Sequence, residues 1–150
     1  MRTFKMILEY DGTAYCGWQR QPNGISIQQI LEEAVARIIG ENVSIIASGR
    51  TDAGVHALNQ VASFRAQTSL AANKMFLGIN SVLPQDIVVK DLQEVPPDFN
   101  ALKHAKGKVY VYRIKNQRRR PVLGRQYFWF VRYKLDLEKM REAASCLTGE

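Results

Sequence analysis

Residues 3 to 10 alternate strictly, with Phe4, Met6, Leu8 and Tyr10 on one side and Thr3, Lys5 and Glu9 on the other, which predicts a strand with one buried face. Asp11-Gly12 ends it, and the segment to Gly24 reads as loop from its Gly, Pro and Asn content. From Ser26 to Ile39 the period changes, because Ile27, Ile30, Leu31, Ala34, Val35 and Ile38 recur at three and four residues and make one apolar helical stripe. Ser26 followed by Gln29 predicts a capping box, and Gly40 suits the position past the C-terminus. Val43 to Ser48 and Gln60 to Arg65 read as strands. A second helical face follows around Leu70 to Val82, carried by Ala72, Met75, Phe76, Ile79 and Val82 and closed by Pro84, and Asp86 to Val95 returns as a strand.

Strand, helix, strand, strand, helix, strand is the order of the ferredoxin-like βαββαβ unit, an α+β fold with two helices on one face of a four-stranded sheet. Beyond Pro96-Pro97, Phe99 to Ala105 is expected to lead to two further antiparallel strands, at Lys108 to Lys115 and Gln126 to Tyr133. Asp136 then caps a third helix whose apolar side is Leu137, Met140, Ala144 and Leu147. The expected division is a first domain over residues 1–105 and the start of a second over 106–150.

Composition narrows the class. With 150 residues, 46% apolar and 23% charged, the chain has material for one ordinary core and an extra subdomain. Its apolar runs are too short to span a bilayer and Met1-Arg2-Thr3-Phe4 leads straight into a strand, so a soluble, cytoplasmic protein without membrane association is expected. Cys16 and Cys146 lack metal-ligand spacing and read as reduced thiols, while His56 and His104 are lone histidines, so no metal is expected. Charge is uneven. Between Asn100 and Lys134 stand eleven Lys and Arg and no acid, against ten bases and all fourteen acids elsewhere. Such a segment favours a polyanionic partner through phosphate contacts and counterion release.

Two stretches carry candidate chemistry. Gly49-Arg50-Thr51-Asp52-Ala53-Gly54-Val55-His56-Ala57 joins two predicted strands, so its charged pair sits on a connection held at both ends by sheet. A carboxylate kept ionised by a neighbouring guanidinium is a usable nucleophile or base. Upstream, Tyr15, Trp18, Gln19, Arg20 and Gln21 combine aromatic faces, which stack on bases, with donors for phosphates and base edges. Trp18 alternatively caps the core from its loop. Lys106-Gly107-Lys108-Val109-Tyr110-Val111 partly imitates the basic-Gly-aromatic signature of an RNA-recognition motif, which leaves a non-catalytic RNA-binding module as the alternative function. That match lacks aromatic positions and falls after the fourth strand.

The loop from Gly49 to His56, together with Tyr10-Asp11-Gly12-Thr13-Ala14-Tyr15-Cys16-Gly17-Trp18-Gln19-Arg20-Gln21, resembles the TruA family of tRNA pseudouridine synthases in order and spacing. Further similarity lies at Asn80 to Ile87, at Phe99-Asn100-Ala101 and at Lys108 to Tyr112, so the resemblance covers essentially the whole chain. It implies Asp52 as the catalytic carboxylate, Arg50 as its partner, and Tyr110 as an active-site tyrosine packing against the target base. A core tyrosine on an alternating strand is the other reading of Tyr110. Trp18, Gln19 and Arg20 would lie near bound RNA, while the basic segment itself gives Arg118, Arg119 and Arg120 a phosphate-tracking role. The resemblance also implies a two-half enzyme without cofactor, homodimeric, acting on uridines at positions 38 to 40 of the tRNA anticodon stem-loop. This chain would be its N-terminal part, inactive alone. Whether the aspartate attacks ribose C1′, attacks uracil C6 or removes a proton at C2′ is open from the residues.

Overall fold

A computed structural model describes residues 1–149 and resolves two compact units, Met1–Gly107 and Lys108–Glu150. In the first, β1 (Arg2–Tyr10), α1 (Ile27–Ile39), β2 (Ile46–Ala47), β3 (Ala57–Ala66), α2 (Ala72–Val82) and β4 (Ile87–Val95) follow one another. The sheet order is β2-β3-β1-β4, and every pairing is antiparallel. This is the expected ferredoxin-like arrangement, and the alternation in β1 explains it: Phe4, Met6 and Leu8 are wholly buried and Tyr10 nearly so. They meet Phe64 and Ala62 of β3, Leu92 and Val89 of β4, Leu31 and Val35 of α1, and Met75 and Ile79 of α2 in one core.

Both helices begin and end close to where the residues place them. Ser26 is the N-cap of α1, its buried hydroxyl accepting from Gln29 N, and Gly40 closes the helix in the left-handed region at φ +74°. Only half of the capping box forms, since the Gln29 side chain donates forward to Glu33 instead of back to Ser26. α2 has no side-chain cap. Asn80 on α2 instead exchanges two hydrogen bonds of 2.9 Å with the backbone of Val89, fixing the helix to β4.

The expected strand at 43–48 is reduced to Ile46–Ala47, while that at 60–65 extends to Ala57–Ala66. The extension carries an irregularity. β3 has an extra residue opposite the end of β1, where Leu8 pairs with Gln60 but Tyr10 with Ala57. On the other side β4 has one as well, where Ile7 pairs with Asp91 but Leu8 with Val89. Bulges bend a strand and increase its twist. Lys90, the extra residue of β4, reaches across with Nζ to Leu58 O, Asn59 Oδ1 and Glu9 Oε2 at 3.0 to 3.2 Å, tying both bulges together. On the face away from the helices, Ala101 is buried and its N–H donates to the buried Ser63 hydroxyl, and Pro97 O accepts from Thr3 and Arg65. Phe99-Asn100-Ala101 is thus a clasp across the sheet.

The second unit departs from expectation. The predicted strands at 108–115 and 126–133 shrink to β5 (Ile114–Asn116) and β6 (Trp129–Val131), and these pair parallel instead of antiparallel. The connection explains the difference. Residues 117–128 pass through an irregular arginine-rich stretch, Gly124 at φ +69° and a 3-10 turn at Arg125–Tyr127, a path of about a dozen residues, long enough for the crossover that a parallel pair requires. α3 (Leu137–Ser145) is capped by Asp136, whose Oδ1 accepts from Glu138 N and Lys139 N. Among the described residues 108–149 none is fully buried, and Leu137 and Leu147 stand 60% and 88% exposed.

Core energetics therefore belong to the first unit. Leu8→Ala should cost about 2–5 kcal/mol, whereas Leu137→Ala should stay within about 0.5 kcal/mol, as measured by urea unfolding of the 150-residue chain. Similar losses at both sites would show that the second unit has a core of its own.

Candidate active site

The connection between β2 and β3 is fixed one residue at a time. Ser48 N donates to Val61 O at 2.8 Å and its hydroxyl to Gln60 Oε1, while Gln60 Nε2 donates to Gly49 O at 2.6 Å. A single amide on β3 thereby holds the entry to the loop. At Thr51 the carbonyl accepts from Trp18 N at 2.9 Å and the hydroxyl shares a 2.8 Å hydrogen bond with the Tyr10 phenol. Beyond it Val55 N donates to Asp52 O and Gly54 N to Tyr15 O, with Gly54 at φ +78°. The Asp52 carboxylate is exposed on a backbone anchored on both sides.

The anchoring segment is the loop after β1, and it approaches at backbone distance. A Cβ on Gly12 would lie 2.0 Å from the carbonyl oxygen of Val55, and one on Gly17, at φ +100°, 2.6 Å from that of Thr51. Only glycine fits either position. This loop is itself held from below: Asp11 N donates to Asp86 O, the Tyr15 phenol donates to Asp86 Oδ1 at 2.7 Å, and Asp11 Oδ1 accepts from Thr13 N and its hydroxyl. Burial pushes the Tyr15 phenol well above the usual range, and Asp86 adds to the effect. Burial also raises Tyr10, with its hydrogen bonds to Thr51 and Gln60 opposing the shift. Both phenols therefore stay protonated, Tyr15 donating to Asp86 and Tyr10 sharing its hydrogen bond with the Thr51 hydroxyl.

The predicted residues fall into three groups. Asp52 and Arg50 are both exposed and share the loop, but among the described residues no ion pair joins them. The backbone between them is pinned at Thr51, and an exposed pair gains little from closing. Trp18 is 3% exposed and packs on Tyr10, ring centroids 6.2 Å apart, so it caps the core and offers no free face for a base. Its neighbours Gln19 and Arg20 are exposed, with Arg20 3.4 Å from Glu32. Tyr110, Arg118, Arg119 and Arg120 belong to the second unit and are exposed. Tyr110 is 65% exposed in the irregular stretch before β5, neither on a strand nor in a core, because regular pairing begins only at Ile114. The same stretch carries the sequence that imitates an RNA-recognition motif, and it forms no strand of the four-stranded sheet. Gln60, Tyr10, Tyr15 and Asp86 escaped the reading of the sequence as site-holding residues, since alternation shows which face a side chain takes but not what its polar tip reaches.

An exposed carboxylate on a sheet-anchored loop, at one end of a ferredoxin-like sheet, has the accessibility and the anchoring that an enzyme's reactive group needs, and comparison identifies the family. The profile described as tRNA pseudouridine synthase matches residues 6–102, and the chain belongs to that family. Proteins named tRNA pseudouridine synthase A from Geobacter sulfurreducens, Geotalea daltonii and Caldicellulosiruptor bescii are 52%, 49% and 47% identical to it over all 150 residues. The chain spans 62% of the length of each. Among the described residues no helix is long and apolar enough to cross a membrane.

Gly12→Ala and Gly17→Ala should both loosen the two loops, each costing about 1–3 kcal/mol in strain and raising amide exchange at Trp18 and Gly54. Unchanged exchange would show that the loops adjust without their close approach. The Tyr15 contribution works in the opposite direction to a carboxylate's. A raised acid group stabilises while protonated, so its part is fully present below the ordinary phenol value of 10.0 and is lost as pH rises above it. Tyr15→Phe should remove that alkaline loss of thermal stability, which a melting series across pH 9 to 11 would record.

Proposed function

We propose that this chain carries the catalytic loop of a tRNA pseudouridine synthase, with Asp52 as the carboxylate that helps break the glycosidic bond of a uridine and permits reattachment through C5. What carries the reading is the anchoring of Asp52: its backbone is fixed by Thr51, Val55 and Gly54, while its carboxylate stays accessible. Positioning of this kind is where most of the gain from a single nucleophile or base arises. Arg50, on the same loop, would turn to the substrate or to Asp52 once RNA excludes water. The names of the relatives and the family profile support tRNA as substrate. The resemblance to the TruA family favours the anticodon stem-loop, at positions 38 to 40, and a cytoplasmic homodimer.

Tyr110 would pack against the extruded base, since a base inside a stem must leave the stack before its atoms can be reached. Gln19, Arg20 and the run Arg118-Arg119-Arg120 would follow the RNA backbone. The 150-residue chain, which spans 62% of the length of the relatives it matches, would bind tRNA weakly and turn nothing over.

Tritium release from C5-labelled tRNA by the full-length enzyme tests the assignment. Asp52→Ala should lower turnover by about 10²–10⁴-fold or more with tRNA affinity little changed. Arg50→Ala should also lose most activity, and the double variant should be little worse than the worse single, because groups acting as a unit are not additive. Turnover that survives in Asp52→Ala would overturn the assignment and favour a binding module. Replacing Arg118, Arg119 and Arg120 with Ser should flatten the salt dependence of binding by a slope of roughly 0.7 to 0.9 per lost phosphate contact.

A further inference from the structure

His56 closes the catalytic loop onto β3, and its Nδ1 meets two partners that make opposite demands. It lies 2.9 Å from Asp11 Oδ1, and the backbone N–H of Gly12 is directed at it as a donor at 3.1 Å. One ring nitrogen carries either a proton or a lone pair. With a lone pair it would accept from Gly12 N–H but face a carboxylate oxygen at hydrogen-bond distance, lone pair against lone pair. With a proton it donates to that carboxylate, and a hydrogen bond to an ionised partner is about twice as strong as one between neutral groups. The charge-assisted bond is the stronger of the two, so it favours the proton on Nδ1 at the expense of the Gly12 bond.

Asp11 is well placed to hold it. Its backbone N–H is bonded to Asp86 O at the foot of β4, and its Oδ1 already accepts from Thr13 N at 3.0 Å and from the Thr13 hydroxyl at 2.5 Å. The carboxylate is thus held by its own loop as well as by the imidazole. His56 directly follows Val55, whose carbonyl lies where Gly12 has no side chain. Drawing the ring to Asp11 draws that carbonyl against Gly12 and sets the path of the chain back to Asp52.

We propose that His56 is a positioning residue: through an Nδ1–H hydrogen bond to Asp11 it sets the register of the loop that carries Asp52. The inference rests on the reading of Asp52 as the catalytic carboxylate. His104, the other histidine of the chain, supplies an internal contrast, because its Nδ1 accepts from Asn100 N at 3.1 Å and so carries the lone pair.

Nitrogen NMR on the 150-residue chain, labelled at histidine, tests the proton directly at a pH where both rings are neutral. His56 should show a protonated Nδ1 and His104 an unprotonated one. In the full-length enzyme, His56→Ala should lower kcat by about 10²-fold, the loss expected of a misplacement near 1 Å, with KM for tRNA little changed. His56→Gln, whose amide can still donate to Asp11, should recover most of that loss, and Asp11→Ala should match His56→Ala. Asp52→Ala runs beside them. Retained turnover in Asp52→Ala overturns the reading of Asp52 and the positioning role with it. Lost turnover there, combined with full turnover in His56→Ala, overturns the His56 role alone. Should His56→Ala fold poorly, the spectrum decides: an unprotonated Nδ1 on His56 also overturns the proposal.

Discussion

Two peptide carbonyls, those of Thr51 and Val55, lie against two positions of the preceding loop that have no side chain. Everything proposed for Asp52 depends on that contact. A loop held by side chains alone keeps the rotamer freedom of each, whereas backbone against backbone leaves little to relax. The cost falls on Gly12 and Gly17, which give up glycine's conformational freedom to fill the space. Tyr10, Gln60, Asp86 and Asp11 then act as a second tier, each placing a polar tip on a backbone group or on a residue that already holds one.

Much of this order is legible along the chain. The period of two in β1 and the period near three and a half in α1 give the buried faces residue by residue, and Ser26 and Gly40 mark both ends of α1. The position of the loop follows from the strands that flank it. What the pattern misses has a common cause. Trp18 reads as a base-stacking residue because it sits among Gln and Arg in a loop, yet whether a loop aromatic turns inward depends on the gap beside Tyr10, which only the fold defines. The bulges in β3 and β4 are invisible to alternation, since a bulge shifts the register without changing residue types. The parallel pairing of β5 and β6 depends on the path of a long connection.

The two units differ in charge. Met1–Gly107 holds Asp52 and its scaffold and balances ten acids with ten bases, whereas nine of the eleven bases between Lys103 and Lys134 fall in Lys108–Glu150. Under the proposed function, attraction for a polyanion and reaction at one of its bases would thus be encoded in different parts of the chain.

The chain has two tryptophans, and they sit in contrasting surroundings. Trp18 is sealed in the core beneath the loop that carries Asp52, while Trp129 on β6 is 68% exposed. One indole therefore emits from an apolar, rigid setting and the other from water, one in each unit. Blue-shifted emission reports the loop's foundation, and red-shifted emission, open to collisional quenchers, reports the basic unit. Without any label, the intrinsic fluorescence of this protein can be separated into a signal from the part that would react and a signal from the part that would first meet RNA.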